Sequence, residues 1–224
     1  MELKIIGTSH VSKESAKEIE STILSFKPDI VAIELDIQRY HALISKKRDK
    51  IGFSDIKKIG FKGFLFALIG EYVERKIGEQ LKIKPGVDML TAIKVAKKFK
   101  LTIALIDQPL AITLQRFSKS ISWKEKWNFF VDLVKGVFLG KKQLKEMGLT
   151  DIDLSKVPPK ENIKKLLMLV KKRYPNFYKV LVEERNAYMA KQLNSIIQKN
   201  PDKRIIAVVG AGHEEGISKL IGRN

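Results

Sequence analysis

Four short apolar runs divide the chain, and each one ends in polar residues with useful chemistry. Residues 3–6 lead into Gly7-Thr8-Ser9-His10, and residues 29–33 into Glu34-Leu35-Asp36. Residues 101–106 lead into Asp107-Gln108-Pro109, and residues 205–209 into Gly210-Ala211-Gly212-His213. Each run is too continuous for a strand with one wet face. The pattern predicts a parallel sheet covered on both sides. Helical periodicity fills the gaps. In residues 12–26, Ile19, Ile23 and Phe26 recur at spacings of 4 and 3, with Ser12 placed as N-cap and Pro28 as the stop. In residues 88–100, Met89, Ala92, Ile93 and Ala96 form one stripe with lysines opposite, and the helix runs into the third strand. These are β–α–β units. They predict an α/β fold with a mostly parallel central sheet, right-handed crossovers and flanking helices.

The remainder is helical in pattern. Trp123, Trp127, Phe130, Val131, Val134 and Val137 form one amphipathic face. Residues 151–160, with Pro158-Pro159, read as a loop, and residues 177–199 as a long helix stopped by Asn200-Pro201. One domain is expected over residues 1–224. Its α/β core comes from about 1–37, 88–109 and 201–224, and a helical insertion from about 38–87 and 110–200.

Composition narrows the chemistry. Cysteine is absent from the 224 residues, which excludes disulfides, thiolate-bound zinc, iron–sulfur clusters and a cysteine nucleophile. The formal net charge of +18 raises nucleic acid, an anionic membrane surface or an acidic substrate as partners. The lysines fall in short pairs such as Lys57-Lys58, Lys97-Lys98, Lys141-Lys142 and Lys171-Lys172, the pattern of a solvated surface. Aromatic residues are not interleaved with basic clusters, so nucleic acid is not expected. Trp123, Lys124, Lys126 and Trp127 suit a membrane surface, a core face or a homodimer face. The first residues enter a strand pattern without a leader-like run, and an intracellular location is expected. The most apolar stretch, residues 61–69, is far below the roughly 20 residues of a membrane span. The sequence ends soon after His213, which leaves room for a C-terminal membrane tether beyond it.

Ligands of open α/β sheets bind at the carboxyl ends of the strands. Two of the three histidines, His10 and His213, stand there in the same pattern of strand, glycine, two residues, histidine. One such motif suggests a helix start; the pair suggests a shared metal or catalytic site. Glu34 occupies an apolar position of the strand pattern and needs a partner: a metal, a histidine or Arg39. Asp36 reads as a helix N-cap and His41 as a surface residue. In the helix 177–199, Phe177, Leu181, Glu184 and Tyr188 share one stripe, so Glu184 is expected to point inward with Arg185 beside it.

These blocks together resemble the TraB family, which groups TraB, PrgY and GumN with the Tiki proteases. The resemblance is carried by Gly7-Thr8-Ser9-His10-Val11-Ser12, by Ile33-Glu34-Leu35-Asp36 with Arg39, and by Glu184-Arg185-Asn186. Val209-Gly210-Ala211-Gly212-His213 with Gly216-Ile217 completes it. Asp107-Gln108-Pro109, with Thr113 and Arg116, resembles a further block in which the family usually has Asp-Arg. The resemblance implies the α/β core of the erythromycin esterase and ChaN-like proteins, an active site built from the two glycine–x–x–histidine motifs and, from the Tiki branch, a metal-dependent peptidase. His10, Glu34 and His213 are then expected to ligate a divalent cation, manganese or cobalt first, with zinc or iron also suited to the donors. Glu184 is expected to be a general base with a raised pKa, and Arg39 or Arg185 to stabilise an oxyanion or hold a substrate carboxylate. Gly7, Gly210, Gly212 and Asp107 are expected to line the substrate, a peptide or protein terminus. A non-catalytic peptide- or haem-binding protein of the same fold stays open, as does a metal-free esterase-type hydrolase with His10 as base and Glu34 orienting it.

Overall fold

The computed structural model describes residues 2–8, 13–45, 86–129, 131–132 and 160–221. The expected α/β architecture is present. Strands β1 (Glu2–Thr8), β2 (Ile30–Ile33), β3 (Thr102–Leu105) and β4 (Arg204–Gly210) form one sheet in the order β1-β4-β2-β3. Every pairing is parallel. The helices are α1 (Lys13–Phe26), α2 (Ile37–Ser45), α3 (Val87–Lys98), α4 (Leu110–Ser120), α5 (residues 123–129), α6 (Lys160–Arg173), α7 (Pro175–Tyr178), α8 (Glu184–Lys199) and α9 (Ala211–Leu220).

The strand order explains the apolar patterns. The inner strands β2 and β4 are buried almost throughout. The outer strands β1 and β3 alternate or stay half-exposed, because each has a neighbour on one side only. Ile6, Val31, Ile33 and Val208 face one core, packed with Ile19 and Ile23 of α1 and with Met89, Ala92, Ile93 and Ala96 of α3. Ala32, Ala207 and Val209 face the other, with Met189, Ala190 and Leu193 of α8 and Ile217 of α9. A helix layer therefore covers each face.

Since all four strands run the same way, their carboxyl ends share one edge. Thr8 pairs with Gly210 and Ile33 with Val208, which aligns the chain exits. Pairing continues past the strands, from the N–H of Glu34 to the carbonyl of Val208 (3.1 Å) and from that of Asp107 to the carbonyl of Leu35 (3.3 Å). At Gly7 the packing leaves no room for a side chain. A Cβ there would lie 3.1 Å from the Cα of Ala211 and 2.2 Å from a Glu214 oxygen, so glycine lets α9 settle on β1.

Among the described residues no helix is long and apolar enough to cross a membrane. Trp123 and Trp127 are 82% and 66% exposed, and Lys126 Nζ sits 4.3 Å from the Trp123 ring centre. Neither tryptophan is in the core. Ser12, the stripe residues Phe130, Val134 and Val137 and almost all of the loop expected at 151–160 lie outside the described residues.

Lys27 and Lys100 end α1 and α3 with positive φ, 48° and 54°, a region that strains L-residues. Both are exposed. Lys100→Gly is expected to stabilise the fold by about 0.5–1 kcal/mol, relief of the strain exceeding the added chain entropy. A denaturant melt with an unchanged slope and a higher midpoint is the expected reading, and an unchanged or lower midpoint contradicts it.

Candidate functional site

The site is built on Arg185, one residue into α8. All five of its N–H donors find acceptors. Nε donates to Asp107 Oδ1 (3.0 Å) and Nη2 to Asp107 Oδ2 (2.8 Å). Nη2 also donates to Glu34 Oε1 in a short contact. Nη1 donates to the carbonyl of Leu181 (3.4 Å) and lies 3.1 Å from His213 Nε2. The Arg185 side chain is 16% exposed, and those of Glu34 and Asp107 are 4% and 2% exposed. Burial alone would push the pKa of Arg185 down. Glu34 and Asp107 outweigh that and hold it above the ordinary value, so the group stays charged.

Each acceptor is fixed a second time. Glu34 Oε2 accepts the N–H of Gly210 (2.5 Å), at the start of α9. Asp107 also accepts Arg39 Nη1 (2.8 Å) and the N–H of Gln108 (2.8 Å). His213 Nδ1 is 2.6 Å from Asn186 Oδ1, and its Nε2 is 3.5 Å from Glu34 Oε1. Asp36 is the expected N-cap of α2, taking the N–H groups of Gln38 and Arg39 at 2.8 and 2.9 Å. Its other oxygen takes the N–H of Leu110 (3.0 Å) and so ties α4 to the same edge. Gln108 is occupied locally, donating to Thr113 Oγ1 (2.9 Å).

The fold thus brings Glu34, Asp107, Arg185 and His213 together, with Arg39 at the rim, 42% exposed. Glu34 pairs with Arg185 and has His213, one of its expected partners, at 3.5 Å, while Arg39 goes to Asp107. Gly210 is the N-cap of α9, and Gly212 meets only ordinary contact with Leu167. His41 is exposed on α2, as expected. His10 lies outside the described residues.

Glu184 departs from expectation. It forms a two-pronged pair with Arg116 of α4, at 3.1 and 2.7 Å. That pairing holds its carboxyl below the ordinary range, where a raised pKa was expected. The two neighbours are about equally buried, 19% and 16% exposed, where the π turn Lys179–Glu183 meets α8; Glu184 turns to Arg116 and Arg185 to the sheet edge. Arg116 and Asn186 were given no role by sequence; the signal of each was its place in a motif block, Asn186 beside Arg185.

Imidazole and carboxylate are suitable metal donors, and His213 Nε2 and Glu34 Oε1 lie 3.5 Å apart. The Arg185 guanidinium lies against both, and a second cation there would meet its charge. Among the described residues no group of three or more histidine, aspartate or glutamate side chains converges as a ligand set.

A profile of the TraB/PrgY/gumN family matches residues 2–223. The chain belongs to this family. It is 38% identical over 221 residues to uncharacterized protein MJ1365 of Methanocaldococcus jannaschii, a match that covers 98% of this chain and 53% of that protein. It is 24% identical to the TraB domain-containing proteins of mouse and human, over 242 and 240 residues. Those matches cover 96% of this chain and 61% of each relative. The chain therefore spans between half and two thirds of the length of these relatives.

Removing the guanidinium strands two buried carboxylates. Arg185→Met is expected to destabilise the fold by about 3–5 kcal/mol, read by chemical denaturation; a loss under about 1 kcal/mol contradicts the arrangement. The Glu184 pair gives a pH signature. A depressed carboxylate pKa adds stability above the unfolded value, and that contribution is lost as pH falls through the folded value. Glu184→Gln is expected to flatten the acid limb of the stability curve, whereas an identical limb in both proteins speaks against the pair.

Proposed function

We propose that this chain is a hydrolase of acyl bonds, peptide bonds first, working at the carboxyl edge of the sheet. The observation that carries the reading is the contact of one buried guanidinium with both the His213 imidazole and the Glu34 carboxylate. A guanidinium only donates, so the His213 Nε2 lone pair accepts from Arg185 Nη1. A substrate carbonyl entering there draws Arg185 Nη1 from Nε2 onto its oxygen. The freed lone pair takes a proton from water as the water oxygen attacks the carbonyl carbon. Arg185 balances the oxyanion, and Glu34, 3.5 Å from Nε2, balances the imidazolium. Collapse expels the leaving group, which takes the proton back from Nε2. Arg39 at the rim suits the carboxylate of a peptide end.

A second reading keeps the metal-dependent peptidase expected from the sequence, with His10, Glu34 and His213 as ligands of manganese or cobalt. The 3.5 Å approach of His213 to Glu34 favours it. The two readings differ in which cation meets the oxyanion.

Fluorogenic peptides and activated esters, with and without a chelator, test the proposal. His213→Gln and Glu34→Gln are expected to lower turnover about 100-fold or more, and Arg185→Lys similarly, since lysine has no fork to span three side chains. Glu184→Gln is expected to change turnover far less. Activity is expected to survive chelation. Loss on chelation with rescue by manganese or cobalt favours the metal reading instead. Absence of hydrolysis with every probe, or full activity in His213→Gln, overturns the hydrolase.

A further inference from the structure

We propose that Asn186 is the positioning residue of the site: it fixes His213 in the tautomer that leaves Nε2 unprotonated. The catalytic meaning of this role rests on the hydrolase reading above, but the role itself does not.

The two ring nitrogens of His213 are held by consecutive residues of one helix. Arg185 Nη1 is 3.1 Å from Nε2, and Asn186 Oδ1 is 2.6 Å from Nδ1. Arginine has no acceptor, so in the neutral ring Nε2 accepts and Nδ1 carries the hydrogen. That hydrogen needs an acceptor, and the Asn186 carbonyl is placed to be it. The reversed amide would set donor against donor. The Arg185 contact thus identifies the tautomer and the amide orientation, and Asn186 holds that tautomer by accepting the Nδ1 hydrogen.

The seat of Asn186 is narrow. The residue is 6% exposed. A Cβ at Gly216 would lie 2.1 Å from Asn186 Nδ2 and 2.9 Å from its Cγ. Gly216 is one helical turn beyond His213 on α9, so one helix supplies both the imidazole and the space that admits its partner. A side chain at 216 would push Asn186 off its seat. A ring held at both nitrogens keeps its Nε2 lone pair aimed at Arg185 Nη1, which a ring held at one does not.

The test reads the ring directly. The chain has three histidines, and in the intact protein labelled with nitrogen-15 the His213 signals are those lost in His213→Gln. Two-bond proton–nitrogen spectra report which ring nitrogen is protonated. The wild type is expected to show Nδ1 protonated and Nε2 bare. Asn186→Leu, similar in volume but without an acceptor, is expected to lose that tautomer and to lower hydrolysis about 100-fold, the scale of a misaimed group. Asn186→Asp keeps an acceptor and is expected to keep the tautomer. Gly216→Ala leaves Asn186 chemically intact and is expected to shift the ring as Asn186→Leu does; it carries the comparison if Asn186→Leu fails to fold. Protonation of Nε2 in the wild type overturns the proposal, as does an unchanged ring spectrum in both Asn186→Leu and Gly216→Ala. Tautomer changes as expected in a protein without hydrolysis of any probe uphold the positioning role and reject the hydrolase.

Discussion

A buried guanidinium with five donors and five acceptors organises this molecule. Arg185 links β2 through Glu34, the end of β3 through Asp107, α9 through His213, and its own π turn through Leu181. Buried charge costs several kcal/mol unless it is matched, and here one cation serves two carboxylates. Each side is thereby dependent on the other. The carboxylates stay at a nearly dry sheet edge because the arginine is there, and the arginine stays charged because they are. Arg39 adds a second positive group to Asp107 at the rim, where solvent screens it.

Topology makes the arrangement available. In a parallel sheet of order β1-β4-β2-β3, the four exits stand side by side, and β4 and β2 at the centre deliver His213 and Glu34 next to each other. Gly7 and Gly216 do related work on either side of α9. One lets the helix lie on β1, and the other lets α8 bring Asn186 against it. The site is thus the meeting line of α8, α9 and the sheet edge.

Much of this was legible from residue patterns because it follows from burial. Continuous apolar runs marked the covered strands, and the Met89-Ala92-Ile93-Ala96 stripe marked α3. Asp36 behaves as the cap its position suggested, since capping is a local interaction. Glu34 was legible as an acid in need of a partner, though its partner was not, because that partner lies 151 positions away on another helix. Glu184 was legible as an acid on the inward stripe, but its partner Arg116, 68 positions away on α4, was not. The role of Gly7 was also hidden, since a glycine kept for helix contact and one kept for a ligand read alike in sequence.

Arg185 as the resident cation is the claim on which the site's chemistry stands. A crystal structure grown with excess manganese measures it most directly. Arg185 is expected between Glu34, Asp107 and His213, with the ion elsewhere or absent. A manganese ion bound to His213 Nε2 and Glu34, with the guanidinium turned away, contradicts that claim.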